Sequence, residues 1–288
     1  MRKFIIIGII FFILFSVIYS RAEAFNLIVE EGKVRLTVPP GSMKTRVINV
    51  KNTSAEPVFI RAYLEDWYYL PGADGSKEFK PAGTTPLSCA NWINFTPAEF
   101  TIPAYGKQAV NYIVKVPPGV FGGRYAVLFF ESIVNKPNSE EGVGFGVTVR
   151  MGSLFYIEPE GTINRKISLD NFSVEKKSRN LPLTVSLNLT NSGNVDITAS
   201  GTFHIIDNTG MVFARGEFNE VYTFPADKAV LKGEWKEPLP AGKYDLVITL
   251  DLGKALEEAN MGRGPIIVKE ADLEIGPSGE ILSVSELK

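Results

Sequence analysis

The segment INVKNTSAEPV, residues 48–58, and the segment LNLTNSGNVDI, residues 187–197, share one pattern. In each, apolar and polar residues alternate up to an asparagine, Asn52 or Asn191. Small polar residues follow, and then a branched apolar residue resumes the alternation. A period of two is typical of a β-strand with one buried face. The asparagines lie 139 positions apart, so the chain is predicted to build the same strand and corner twice.

A second repeated phrase supports the duplication. In PPGVFGGRYAVLFF, residues 117–130, and LPAGKYDLVITL, residues 239–250, a Pro/Gly corner precedes a basic residue, a tyrosine and a strand. In immunoglobulin-like sandwiches, a tyrosine near the start of the sixth strand hydrogen-bonds back across the preceding corner. Tyr125 and Tyr244 are the predicted corner residues. They lie only 119 positions apart, which indicates an insertion of about 20 residues in the first copy.

These patterns predict an all-β fold, with two immunoglobulin-like β-sandwich domains after an N-terminal signal peptide. Many short strand-like segments with frequent turns are typical of sandwiches and barrels. The first domain is placed at residues 25–157, with the insertion at 68–90, which is rich in Gly, Pro and Ser. The second domain is placed at 162–275, and residues 276–288 are predicted to form a loose tail.

The N-terminus is predicted to direct export. Arg2 and Lys3 precede an apolar run from Phe4 to Tyr19, and small residues follow at Ala22 and Ala24. This order is typical of a secretory signal, here residues 1–24. An uncleaved anchor is the alternative. No later segment is long and apolar enough to span a membrane, so the mature chain is expected to be periplasmic or extracellular.

Composition argues against several functional classes. The net charge is −2, with 30 Lys and Arg against 32 Asp and Glu, so no basic surface for nucleic acid is expected. A single Cys and a single His argue against a Cys/His metal site and an intramolecular disulfide. His204 lies in a predicted strand, and the neighbours Glu65 and Asp66 would point to opposite faces of one. The chain is therefore predicted to be non-enzymatic, with no metal and no cofactor.

The first domain resembles the N-terminal domain of periplasmic pilus-assembly chaperones and, more loosely, envelope domains of WxL-type surface proteins. The similarity lies in PPGSMKTRVINVKNTSAEPV, FTPAEFTIPAYGKQAVNYIV, GGRYAVLFFES and GSLFYIEP, and covers roughly residues 38–157 with the insertion at 68–90 excluded. The resemblance implies that an exported pilus or surface subunit is the partner and that it binds by β-strand addition. The alternative function is a structural or adhesive module that binds wall glycan or another surface protein.

The same resemblance implies a donor strand and a pair of carboxylate anchors. Val143, Phe145, Val147 and Val149 alternate with smaller or polar residues and form the candidate donor strand. The alternative is an ordinary seventh strand that faces its own core. The family's anchoring Arg and Lys fall opposite Leu36 and Ser153 here, and the charged Lys33, Arg35 and Arg150 stand at other positions. This departure argues against the family's usual anchoring of a subunit carboxylate.

A second candidate binding surface lies on the outer face of one sheet. If Tyr125 faces the core, Leu128 and Phe130 point outward, and Phe59 and Tyr63 lie beside them on a neighbouring strand. Four large apolar side chains on one outer face are typical of a protein interface. The alternative is that the insertion or the second domain covers them.

Overall fold

The structure is a computed structural model that describes residues 27–136, 145–176 and 182–288. The predicted signal peptide lies outside these residues. The first part of the chain forms two sheets that face each other, with strand orders β1-β3-β8-β6 and β2-β10-β9-β4-β5, and β7 pairs with β4. A 3-10 turn spans Ala90–Trp92. The strands are β1 (Leu27–Val29), β2 (Lys33–Val38), β3 (Met43–Asn52), β4 (Val58–Tyr69), β5 (Lys77–Pro81), β6 (Ile93–Thr96), β7 (Glu99–Ile102), β8 (Lys107–Lys115), β9 (Arg124–Lys136) and β10 (Phe145–Pro159).

Alternate residues of the facing strands fill the core of the first sandwich. Ile48 of β3 and Val110 of β8 are fully buried in one sheet. Ile60 of β4 and Phe155 of β10 are fully buried in the other. All four belong to one apolar cluster, so the period of two in the sequence follows from burial of one face per strand.

The second part of the chain forms one eight-stranded sheet, with the order β11-β12-β15-β14-β13-β16-β17-β18. The strand pairing between β14 and β15 comprises one residue pair, Phe218 and Gly233. One apolar cluster takes residues from β11 through β17, so the sheet closes around a single core. The strands are β11 (Ile167–Glu175), β12 (Leu183–Asn191), β13 (Ile197–Asp207), β14 (Val212–Thr223), β15 (Lys228–Trp235), β16 (Gly242–Asp251), β17 (Ile266–Ile275) and β18 (Ile281–Val284).

The chain is all-β, with two immunoglobulin-like sandwich domains, as the sequence predicts. The sheets change between Pro159 and Ile167. One short helix, α1 (Lys254–Glu258), interrupts the second domain. No helix in the described ranges is long and apolar enough to cross a membrane.

The two asparagine corners have the same hydrogen bonds. Asn52 Nδ2 donates to the Glu56 carbonyl at 2.7 Å, and Asn52 Oδ1 accepts from the Ser54 amide at 2.9 Å. Asn191 Nδ2 donates to the Val195 carbonyl at 2.9 Å, and Asn191 Oδ1 accepts from the amide two positions on, at 3.0 Å. Both asparagines are buried. Each side chain therefore replaces main-chain partners that a tight corner would leave unsatisfied.

The two tyrosines differ. The Tyr244 hydroxyl donates to the Pro240 carbonyl at 2.8 Å, across the preceding corner. The Tyr125 hydroxyl instead accepts from the Asp196 amide of the second domain, at 2.6 Å. The prediction of a corner hydrogen bond is therefore wrong for Tyr125, because the second domain supplies a partner that a single-domain argument does not include.

The C-terminal tail is ordered, contrary to the prediction of a loose segment. Residues Ile281–Val284 form β18 and pair with the last residues of β17. The insertion at 68–90 also contains secondary structure, because β5 pairs with the end of β4. Its tip reaches the second domain, where the Tyr222 amide donates to the Ala73 carbonyl at 2.9 Å.

Candidate functional site

The strands β9 and β10 form a long hairpin, and part of β10 has no partner on one edge among the described residues. The two strands pair from Arg124 opposite Ile157 to Lys136 opposite Phe145. On its other side, β10 pairs with β2 only over Leu154–Pro159. The main chain of residues 145–153 therefore has no strand partner on that side within the described residues. Such an edge can accept a strand from another chain.

The candidate donor residues fall on or next to this free edge. Val143 lies outside the described residues. Phe145, Val147 and Val149 lie in β10, where the main chain pairs with β9. Val149 is partly buried, and Met151, two positions further on, packs against the core of the first sandwich. A core-facing role thus applies to β10 from Met151 onward, and the donor role of Phe145 and Val147 stays a prediction.

Arg150 pairs with Glu131 in this hairpin, and its side chain lies on the face of the sheet opposite to Val149. Its guanidinium lies 3.2 Å from the Glu65 carboxylate and 4.3 Å from the centre of the Phe129 ring. The Tyr63 hydroxyl bridges the same group, since it donates to Glu131 at 2.8 Å and lies 3.4 Å from Arg150. Burial and the bond to Glu131 raise the pKa of Tyr63 despite the nearby Arg150. These contacts hold Arg150 on the sheet, so it is not a free anchor.

The predicted outer face is only half present. Phe59 is 55% exposed, and Tyr63 packs on the outer side of the sheet. Leu128 and Phe130 are fully buried in the core, so their predicted outward direction is wrong. Opposed residues of paired strands share a face, and Phe130 pairs with the inward-facing Ala62. The error came from the assumption that Tyr125 faces the core.

The residues that do point outward from β9 form an aromatic cluster between the domains. The Tyr125 ring stacks on Phe224 of the second domain, with 4.1 Å between the ring centroids. The Trp67 ring centroid lies 5.1 Å from that of Phe224. Phe79 of the insertion packs edge-on against Phe129 at 4.9 Å. The insertion and the second domain thus cover this face, which was the alternative. The outer aromatic cluster comprises Trp67, Tyr69, Tyr125, Val127, Phe129, Tyr156 and Phe224.

A buried ion-pair group joins the domains beside this cluster. Arg35 Nη1 contacts Glu158 Oε1 at 2.5 Å, and Arg35 Nη2 contacts Asp196 Oδ2 at 2.5 Å. Arg165 reaches the same Glu158 oxygen. The Arg35, Glu158 and Asp196 side chains are each at most 5% exposed. Burial opposes the charge of Arg35, yet Asp196 and Glu158 together raise its pKa well above the usual range. No sequence pattern indicated this group, although Asp196 stands within the repeated corner phrase.

The positions opposite the family's carboxylate anchors carry no charge. Leu36 is buried in the core, and the buried Ser153 hydroxyl donates to the Glu31 carbonyl at 2.5 Å. Arg35 is committed to the ion-pair group. Lys33 is exposed and lies 3.4 Å from Glu258, at the rim of a cleft between the domains.

The interdomain cleft is small. Its volume is about 60 Å³, and tyrosine side chains form much of its wall. A hydrogen bond to Glu220 and partial burial raise the pKa of Tyr222 to about 12, so this hydroxyl is neutral at pH 7. The cleft is lined by Lys33, Arg35, Tyr69, Tyr156, Thr198, Tyr222, Ala255, Glu258 and Ala259.

The described residues contain no group of three or more His, Cys, Asp and Glu side chains that could hold a metal ion. Cys89 is a buried free thiol, and burial raises its pKa well above the usual value. A thiol in this state is a poor nucleophile and a poor metal ligand.

No family model and no curated protein matches the chain. Solved structures of similar fold exist. The class 5 fimbriae chaperone CfaA is 15% identical, with a TM-score of 0.48 over 85% of this chain and 98% of its own. A chaperone–tip adhesin complex of CFA/I fimbriae is 11% identical, with a TM-score of 0.48 over 85% of this chain and 98% of that chain.

A third similar structure is the Salmonella enterica SafA pilin in complex with the SafB chaperone. It is 13% identical, with a TM-score of 0.41 over 86% of this chain and 97% of that chain. All three structures contain chaperones of pili or fimbriae, the family that the sequence resembles. The likeness is one of fold.

Proposed function

We propose that this chain is a periplasmic, chaperone-like protein that binds an exported subunit by β-strand addition at the free edge of β10. The observation that carries the proposal is that residues 145–153 of β10 pair only with β9 among the described residues, whereas β10 is paired on both sides from Leu154 onward. A strand of the subunit would form main-chain hydrogen bonds along this edge. Alternate side chains of β10 would enter a groove of the subunit. Chaperones bound to a pilin or a tip adhesin are among the similar structures.

In this proposal Phe145, Val147 and Val149 contact the subunit, and Val143 extends the same alternation. Each apolar side chain that leaves water contributes roughly 1.5–3 kcal/mol. The sandwich core already has its own residues from β10, including the fully buried Phe155. Loss of Phe145 should therefore weaken binding more than it weakens the fold.

Affinity capture from the native envelope tests this proposal. Tagged mature chains carrying Phe145→Ser or Thr148→Ser are compared with the unchanged chain, and the captured proteins are identified by mass spectrometry. Phe145→Ser should reduce capture about tenfold or more and leave the melting temperature unchanged. Thr148→Ser, a neighbour on the same strand, should change neither. A fall in melting temperature with unaltered capture would show that Phe145 belongs to the fold and would overturn the proposal.

The way the subunit's carboxylate is held is proposed to differ from that of the family. Leu36 and Ser153 offer no charge, and Arg35 is occupied by Glu158 and Asp196. A captured subunit with an amidated C-terminus should therefore bind within about threefold of the free acid, since a lost charged hydrogen bond would cost far more. A loss of tenfold or more on amidation would point to Lys33, and Lys33→Met would then reproduce it.

A further inference from the structure

The edge of β17 in the second domain is covered by the chain's own C-terminal segment. β17 pairs with β16 along its whole length. On its other side it pairs with β18, and the pairing continues past β18. The Ser285 amide donates to the Asp272 carbonyl at 2.9 Å, and the Lys288 amide donates to the Glu270 carbonyl at 2.8 Å. The strand β18 and the residues that follow it, up to Lys288, thus cover this edge of β17.

Side chains of this segment also enter the second domain. Ile281, Val284 and Leu287 are partly buried and pack against its core. Leu282, in contrast, is 55% exposed, because a register irregularity in the pairing falls at this point. Main-chain hydrogen bonds together with apolar side chains at set positions are the features by which a sheet edge recognises an extended peptide.

The connection to β17 is short and separate from the core. The Gly276 amide donates to the Glu280 carbonyl at 2.8 Å and closes a turn over residues 276–280. Gly279 has φ +78°, which favours glycine. The residues of Ile281–Lys288 that contact the domain all follow this turn in the chain. The same contacts are therefore available to the same segment of a second molecule, which is the basis of strand exchange.

We propose that the β17 edge is a strand-binding site that can take the segment Ile281–Lys288 of a second copy of this chain in exchange for the chain's own segment. This site is independent of the free edge of β10. The segment protects the edge from pairing with other strands, as edge coverage does in natural sheet proteins. Beyond the covered part, β17 exposes Ile266 and Val268, which are 60% and 54% exposed.

The test uses the full mature chain with a specific protease site placed at Pro277–Ser278. After cleavage in the folded state, only non-covalent contacts hold the segment. A fluorescent peptide of residues 277–288 is then added, and its uptake is followed by anisotropy and by co-elution with the protein. Uptake is expected to displace the original segment with one peptide bound per chain.

Two variant peptides make the test specific. Val284→Asp should bind at least tenfold more weakly, because Val284 packs on the core, whereas Leu282→Asp should bind like the unchanged peptide. A cleaved chain that keeps its melting temperature but takes up no peptide would overturn the proposal. So would equal binding of the two variants. Unfolding of the second domain on cleavage would also overturn it, since the segment would then be an integral part of the fold.

Discussion

Removal of the Arg35 charge should be the most damaging single change at the domain junction. Arg35→Met keeps much of the side-chain volume but leaves the carboxylates of Glu158 and Asp196 buried without this partner. Arg165 still contacts Glu158, and the Tyr125 hydroxyl lies 3.3 Å from Asp196 Oδ1. Asp196, only 1% exposed, would lose its only ion pair among the described residues.

The expected cost follows from burial. Breaking a buried ion pair by removing one partner destabilises a protein by about 3–5 kcal/mol. For a chain of this size, 1 kcal/mol corresponds to roughly 2–4 °C in melting temperature. Arg35→Met should therefore lower the melting temperature by roughly 10 °C, measured by circular dichroism at pH 7.

A matched control separates this effect from a general loss of charge. Lys33→Met removes an exposed pair with Glu258, whose side chains are 59% and 51% exposed, and should cost at most about 1 kcal/mol. In Arg35→Met, the further change Asp196→Asn should restore part of the stability because it removes the unpaired charge. A melting temperature within 2 °C of the parent for Arg35→Met would refute the reasoning.

Two further predictions concern the corners and the outer aromatic cluster. Asn52→Ala and Asn191→Ala should each reduce the free energy of unfolding by about 1–3 kcal/mol in urea titrations, because each leaves buried carbonyl groups unpaired; a change in only one domain would contradict the equivalence of the corners. Burial raises the pKa of Tyr69, Tyr125 and Tyr156 well above the ordinary value near 10. The unfolded chain loses these protons first, so stability is full below about pH 10 and falls above it by about 1.4 kcal/mol per tyrosine per pH unit. Ultraviolet titration of the folded protein should then show these phenols ionising only on unfolding, and their ionisation near pH 10 in the folded state would contradict the prediction.

The sequence by itself determined the fold class. Alternation with a period of two reports which face of a strand is buried, and this needs only local information. The asparagine corners were predictable for a similar reason, since Asn52 and Asn191 each bond to groups two and four residues further along the chain. The Tyr244 hydroxyl also bonds locally, to the carbonyl four positions back.

The direction of β9 could not be read from its sequence. Residues 125–130 are apolar on both faces because the strand is buried on both, by the core on one side and by the second domain on the other. A strand of this kind has no amphipathic alternation. Only the pairing of Phe130 with Ala62 decides that Leu128 and Phe130 face inward.

The tertiary structure alone decided the groups that join distant parts of the chain. Arg35, Glu158 and Asp196 meet from two domains, and their contacts span up to 161 positions. The free edge of β10 and the covered edge of β17 also depend on which strands become neighbours. Strand order is set by packing of the whole chain, and a local sequence pattern does not specify it. For this reason the sequence indicated the candidate strand at Phe145–Val149, and only the structure could show that no strand among the described residues pairs with its outer edge.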